Sequence, residues 1–314
     1  MKRSTFVIIT LLFTTLFTFG QVADFNDSID NYFREIKANT AHYKDLWDLD
    51  LYGSILLVDP GSRKIYANFP DSVGILKKDG NMFTGLLPAK INIANTSIHW
   101  NGRSWAMIIL PLPYNKQDRL NILSHELFHL SQPSLGFHIP NADNNHLDQR
   151  DGRVYLRLEL EALRLALISG TKSETCDHLT NAMFFRKTRY SLFNGASLSE
   201  NLMELNEGLA EYTGIMMSGR SAGETTKYFE QKLTEFQNWP SFVRSFAYVT
   251  TPLYGFILSK SVKDWNKHVT DTTDLTEFFI RNFSLSVPVN LCSECMNQYG
   301  FEKILTEEIK REKE

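Results

Sequence analysis

The segment from Ser124 to His129 reads Ser-His-Glu-Leu-Phe-His, and it constrains the fold more than any other part of this 314-residue chain. Its two histidines, His125 and His129, are four residues apart, so they share one face only if the segment is helical. Apolar residues at helical spacing precede it, and Pro133 prevents the helix from continuing. On such a helix the two imidazoles can bind one zinc ion, with Glu126 beside them as a general base. The alternative is two ordinary histidines on a buried helix.

The composition is that of a folded chain. Of the 314 residues, 43% are hydrophobic, 12% are aromatic and 22% are charged, which is enough for one large core or two small ones. The formal net charge is −3, so electrostatics give no reason to expect a nucleic-acid partner.

Residues 1–20 have the features of a signal peptide. Lys2 and Arg3 make a positive start, an apolar run follows over 6–19, and the run ends at small residues before a cleavage site after Gly20. The run is shorter than the roughly 20 residues that a membrane span needs, so we expect cleavage and not a signal anchor. The mature chain is then expected to be periplasmic or secreted, without a stable membrane span.

The chain has three cysteines. In an exported protein Cys292 and Cys295 can form a local disulfide. They can also remain two thiols, or form half of a structural zinc site whose second half is absent from the sequence. Cys176 would then be the unpaired cysteine, and we expect it to be buried.

Residues 21–115 predict a mixed α and β part. One or two helices are expected over 24–50, with Phe25, Ile29, Phe33 and Ile36 on one face. Alternating apolar residues and turn signals then predict short strands at 54–58, 64–69, 83–87, 90–93, 97–100 and 104–110.

Asn101-Gly102 separates the last two of these strands, and this dipeptide is a strong signal for a tight hairpin. The second strand of the hairpin ends just before the helix that carries the histidine motif. An edge strand at this place could bind an extended peptide by adding it to the sheet. The alternative is an ordinary core sheet.

Residues 116–314 predict a mainly helical part. Helical spacing and glycine stop signals predict helices at 151–169, 198–217, 224–238, 242–267 and 273–282. The fold class is therefore α+β, with an N-terminal mixed layer of antiparallel hairpins followed by a helical half that carries the metal site.

A catalytic zinc ion needs a third protein ligand. Gly136 and His138 follow the motif at distances that do not fit a compact third histidine, so a carboxylate from a later helix is expected. The helix over 198–217 carries a stripe of glutamates at helical spacing, and no Lys or Arg lies between 190 and 219 to neutralise it. A divalent cation would offset the repulsion among its members, which are Glu200, Glu204, Glu207 and Glu211.

Gly208 and Ala210 on this helix are small, so we expect them to let it approach the motif helix closely. A second source of the ligand is Glu159, which has a largely apolar surrounding on its own helix and therefore needs a partner. It can be a ligand, an acceptor that supports a zinc-binding histidine, or the partner of an arginine. Glu161 is expected to pair with Arg157 and Arg164 at helical spacing.

The two motifs together resemble the gluzincin metallopeptidases, which include thermolysin-like enzymes and zinc aminopeptidases. The matching segments are His-Glu-Leu-Phe-His at 125–129 and Asn-Glu-Gly-Leu-Ala-Glu-Tyr at 206–212. The resemblance implies that Glu207 is the third zinc ligand and that Glu211 supports the site from behind. It also implies a catalytic tyrosine after this helix, for which Tyr248 and Tyr254 are the candidates.

Two departures from that family stand out. The interval between the two motifs is longer than in the well-known members, so a helical insertion over 151–190 has to be accommodated. The chain also lacks the Gly-x-Met-Glu-Asn segment that anchors a substrate amino terminus in the aminopeptidases.

The sequence therefore predicts an exported zinc-dependent hydrolase, specifically a metallopeptidase acting on a peptide or protein substrate. One alternative is a non-catalytic periplasmic or cell-surface binding module in which zinc only joins the helices. Another is a protein with a fortuitous motif, which would bind no zinc.

Overall fold

The computed structural model describes residues 25–313, so the predicted signal peptide at 1–20 lies outside the described residues. Helix α1 covers Phe25–His42 and a short 3-10 turn follows at Lys44–Leu46, as the pattern over 24–50 predicts. Its apolar face is buried in the main core through Ile29, Phe33 and Ile36.

Six strands form one sheet: β1 (Ile55–Val58), β2 (Lys64–Ala67), β3 (Lys77–Asp79), β4 (Met82–Leu86), β5 (Thr96–Trp100) and β6 (Arg103–Ile109). Their order is β3-β4-β2-β1-β6-β5. Strands β1 and β6 run parallel, and all other neighbours are antiparallel. The sequence did not indicate β3, because its three residues are all exposed and polar and give no alternating pattern.

The predicted hairpin is confirmed, with Asn101 and Gly102 both in the left-handed backbone region at φ 50° and 74°. The strand at the sheet edge is β5, the first strand of the hairpin. Its second strand, β6, lies between β5 and β1 in the interior. Any peptide added to the sheet at this edge would therefore pair with β5.

The predicted strand at 90–93 is wrong. The carbonyl oxygens of this region are occupied by Arg63, whose guanidinium donates to Leu87, Pro88 and Ile91. These bonds hold the segment as a loop. Its two isoleucines, Ile91 and Ile93, pack on the outer face of the sheet instead of joining it.

The helices after α1 are α2 (Lys116–Ser131), α3 (Arg150–Ile168), α4 (Lys172–Leu192), α5 (Ala196–Met203), α6 (Leu209–Met216), α7 (Ala222–Phe236), α8 (Thr250–Ser259), α9 (Leu275–Phe283), α10 (Ser293–Asn297) and α11 (Phe301–Lys313). The single helix expected over 242–267 is wrong: only α8 is a full helix there, between two 3-10 turns. Pro252 lacks the amide hydrogen that a helix interior requires, and it lies in the first turn of α8.

One face of the sheet packs on α2, and the main core continues from there through the remaining helices. Residues of both expected parts, 21–115 and 116–314, therefore contribute to the main core. This arrangement confirms the α+β class. Among residues 25–313, no helix combines the length and apolarity needed to cross a bilayer. A disulfide joins Cys292 to Cys295, and Cys176 is unpaired and only half-buried.

A fully buried network of charges joins α3, α4, α5 and the helical turn Glu204–Gly208 that follows α5. The Nε of Arg186 donates to Glu159 at 2.7 Å, and its two Nη atoms donate to Glu204 at 2.8 and 2.9 Å. Arg189 pairs with Glu159 at 2.8 Å and with Glu200 at 2.6 Å. All five side chains are 0% exposed, so each charge depends on its partners for solvation.

We expect Arg186→Met to lower the free energy of unfolding by about 3–5 kcal/mol, since it leaves two buried carboxylates without their main partner. Urea denaturation measures this change. The control is Arg164→Met, which removes a partly exposed pair with Glu161 and should cost less than about 1 kcal/mol. Equal costs for the two substitutions would show that the buried network contributes no more than a surface pair.

Candidate metal centre

Helix α2 brings His125 and His129 together as its sequence predicts. Asn115 caps its first turn by accepting hydrogen bonds from the amides of Gln117 and Asp118. The four-residue interval places the Nε2 atoms of the two imidazoles 3.1 Å apart. Two ring nitrogens this close are within hydrogen-bonding distance of each other, and both can reach one ion.

Glu207 completes the cluster from a different helical segment. Its Oε2 lies 3.6 Å from His125 Nε2 and 3.3 Å from His129 Nε2. One ligand atom from each of the three residues lies within 4.8 Å of the others. Two imidazole nitrogens and one carboxylate oxygen form a donor set that suits zinc.

A single turn of π-helix, Glu204–Gly208, connects α5 to α6 and carries Glu207. Such turns insert an extra residue into a helix and occur frequently at functional sites. The turn divides the glutamate stripe. Glu200 and Glu204 face the arginines of α4, while Glu207 and Glu211 face the histidines of α2.

Gly208 does not make the close approach to the motif helix that its small size predicts. A side chain at Gly208 would collide with Thr251, whose Oγ1 would lie 2.5 Å from the added carbon, so this glycine admits the start of α8. The close approach to the motif helix is at Gly214 instead, where an added carbon would lie 2.6 Å from the carbonyl oxygen of Asn121. Glycine is required here because two backbones meet.

Both imidazoles are oriented by a hydrogen bond at the opposite ring nitrogen. His125 Nδ1 donates to Glu211 Oε2 at 3.1 Å, and a carboxylate can only accept. His129 Nδ1 lies 2.8 Å from Gln132 Oε1. The Gln132 amide is oriented by its own Nε2, which donates to the backbone oxygen of Asn206 at 3.2 Å. Both Nδ1 atoms therefore carry the proton, which leaves both Nε2 atoms to the site.

Glu211 is in turn held by Lys232 of α7, which forms a buried ion pair with it. Burial by itself raises the pKa of the Glu211 carboxyl, but Lys232 and His125 hold it well below its usual range. Burial likewise lowers the pKa of His125, but hydrogen bonds to Glu207 and Glu211 outweigh this and raise it to about 9. In the absence of an ion, a proton on His125 thus balances the carboxylates.

Glu126 lies next to the cluster and is buried, 4% exposed. Its Oε2 has no hydrogen-bond partner within the described part of the chain. Burial raises the pKa of this carboxyl, while the two histidines oppose the rise. A buried acceptor without a partner, on the wall of a cleft, can take a proton from a bound molecule.

The two candidate tyrosines have separate places. Tyr248 stacks on the His125 ring, with centroids 5.4 Å apart, and its hydroxyl donates to Glu207 Oε2 at 2.5 Å. Tyr254 is fully buried and donates to Glu159 at 3.1 Å. Glu159 is held by Arg186 and contacts none of the three cluster residues, so neither it nor Tyr254 reaches the centre.

The cluster opens on a cleft of about 320 Å³. Its wall is polar and includes the beginning of the edge strand β5 as well as the loop before α8. The lining side chains are Asn95, Thr96, Ser97, Glu126, His129, Gln132, Asn141, Asn206, Glu207, Arg244 and Tyr248.

Three residues at this site were not found from the sequence. Gln132 lies one helical turn beyond His129, so the spacing carried a signal that could have indicated it. Lys232 and Arg244 come from distant segments, and no local pattern connects them with the histidines. His146 lies away from the histidine pair and bonds Glu200 at 2.8 Å.

The His125 pKa leads to a pH-dependent stability of the metal-free protein. A folded pKa of about 9 exceeds the unfolded value of 6.5, so this proton stabilises the fold below pH 6.5. The contribution is lost between pH 6.5 and 9, where the free energy of unfolding should fall by up to roughly 3 kcal/mol. Urea denaturation in EDTA measures it. If the free energy of unfolding of a His125→Asn variant falls equally between pH 6.5 and 9, His125 is not the source of the pH dependence.

No protein-family model, curated protein or solved structure matches this chain.

Proposed function

We propose that this protein is an exported, zinc-dependent hydrolase of the gluzincin type, acting as a metallopeptidase. The observation that carries the proposal is the convergence of His125 Nε2, His129 Nε2 and Glu207 Oε2 at the wall of an open cleft. The hydrogen bonds of Glu211 and Gln132 support it, because they direct both Nε2 lone pairs to one point.

A zinc ion in this cluster would act as a Lewis acid that activates water and polarises a carbonyl group. His125, His129 and Glu207 would hold it and leave one side toward the cleft. Glu126 would accept a proton from the attacking water and pass it to the leaving amine nitrogen. Its buried carboxyl has a raised pKa, which brings its proton affinity closer to that of a general base working near neutral pH.

Tyr248 would stabilise the negative charge that develops on the carbonyl oxygen of the substrate. Burial raises the pKa of its phenol, and the Glu207 carboxylate raises it further, so the hydroxyl keeps its proton. Its one proton is donated to Glu207 Oε2 in this structure, so the hydroxyl would have to turn from that oxygen to donate a hydrogen bond to an oxyanion.

The edge strand β5 favours a peptide over other amides and esters. Asn95, Thr96 and Ser97 line the cleft, and no other strand within residues 25–313 pairs with the outer edge of β5. An extended peptide backbone can occupy such an edge, because it supplies the missing donors and acceptors.

Zinc analysis of the purified protein tests the centre. We expect one zinc ion per chain after zinc is supplied and the unbound excess is removed by dialysis. Glu207→Gln should weaken the binding by about 10- to 100-fold or more, because the amide lacks the charge of the carboxylate. Glu161→Gln, a change of the same type at the Arg164 pair, should leave zinc binding unaltered. A wild-type protein without zinc would exclude the proposal.

Kinetics on a peptide library test the chemistry. Glu126→Gln should abolish turnover while zinc stays bound. Tyr248→Phe should lower kcat by about 10²–10³, the range seen when an oxyanion donor is lost.

Tyr254→Phe is the matched control, because Tyr254 bonds Glu159 outside the cleft, and it should keep the wild-type kcat. Equal losses in both tyrosine variants would contradict the role of Tyr248. Bound zinc without hydrolysis of any peptide would indicate a zinc-joined binding module.

A further inference from the structure

Arg244 is a strongly exposed cation at the mouth of the cleft. Its side chain is 68% exposed, while its Nη2 lies 3.2 Å from Glu207 Oε1. That oxygen is the one turned away from the histidines, since Oε2 faces both imidazoles and Tyr248. The guanidinium therefore lies one carboxylate group away from the metal centre.

Most of the binding capacity of this guanidinium is unused. An arginine has five N–H donors in a planar fork, and a single hydrogen bond, to Glu207, engages Arg244 within residues 25–313. The remaining donors face the cleft or the solvent. A planar fork with free donors matches a carboxylate, which can accept two parallel bonds.

The loop that carries Arg244 is anchored close behind it. Asp148 accepts hydrogen bonds from the Ser241 hydroxyl at 2.6 Å and from the Phe242 amide at 2.8 Å. The Phe242 ring is fully buried and lies under the Arg153 guanidinium, 3.8 Å from its centroid. The backbone anchored two residues before Arg244 holds the base of its side chain beside Glu207.

The other charged side chains of the cleft wall, Glu126, His129 and Glu207, belong to the proposed centre. Among the lining side chains of the described chain, Arg244 is then the cation left for the substrate. We propose that Arg244 determines specificity by binding a substrate carboxylate next to the scissile bond. This inference rests on the proposed peptidase function.

Two peptide groups carry such a carboxylate: the side chain of an Asp or Glu residue, and the α-carboxylate of the last residue. Both fit the same guanidinium fork. The first would make the protein an acid-directed endopeptidase, and the second a carboxypeptidase.

N-acetylated octapeptides test the inference. A single Glu or its uncharged analogue Gln is moved through the sequence, and each peptide is made as the free acid and as the C-terminal amide. The ratio of kcat/KM between the Glu and Gln peptides measures the preference for a side-chain carboxylate. The ratio between the free acid and the amide measures the preference for a C-terminal carboxylate. We expect one of these ratios to exceed about tenfold in the wild type, the size of one charge-assisted pair.

Arg244→Gln should bring that ratio close to one, and Arg244→Lys should restore part of it. Arg34→Gln, at an arginine that is 70% exposed on α1, should keep the wild-type ratio. Calorimetry with the Glu126→Gln protein gives a second readout, because the affinity for the preferred peptide should fall in the same proportion when Arg244→Gln is added.

The outcomes separate the inference from the proposed function. Peptides cleaved without regard to carboxylates, or a preference that survives Arg244→Gln, would overturn the role of Arg244 and leave the peptidase proposal intact. Failure to cleave or bind any peptide of the set would overturn both.

Discussion

The helices around residues 200–211 have to provide partners for four buried glutamates on that one helical segment. Glu200, Glu204, Glu207 and Glu211 are each less than 10% exposed, and a buried carboxylate is stable only beside a cation or several donors. Each partner comes from a different part of the chain: arginines from α4, histidines from α2 and a lysine from α7. The packing of these helices around the segment is therefore also a matching of charges.

The segment over residues 200–211 has two different roles, which divide at the π-helical turn. Glu200, before the turn, and Glu204, at its start, face Arg189 and Arg186 in fully buried pairs. Glu207 faces the cleft, where its carboxylate meets the two imidazoles, a phenol and an exposed arginine. The buried charge network and the candidate metal centre thus lie on the same helical segment.

Local patterns accounted for the fold where the partner of a residue lies nearby in the chain. The Asn101-Gly102 hairpin, helix α1 and helix α2 follow from periodicity and turn chemistry, which act over a few residues. The strand expected at 90–93 failed because Arg63, some 25 residues earlier, takes the carbonyl groups that a ladder would need. Strand β3 gave no signal because its side chains face the solvent on both faces.

For the candidate site, the sequence by itself determined which residues share a turn of helix: His125, Glu126 and His129. Spacing within single helices left Glu159 and Glu207 both open as the third member, and only the family resemblance favoured Glu207. In the folded protein Arg186 pairs with Glu159, whereas Glu207 lies beside the imidazoles and is the third member of the cluster. Tertiary structure likewise separated Tyr248 from Tyr254. Helical spacing is fixed by local backbone geometry, whereas the partner of a buried charge depends on how distant helices pack.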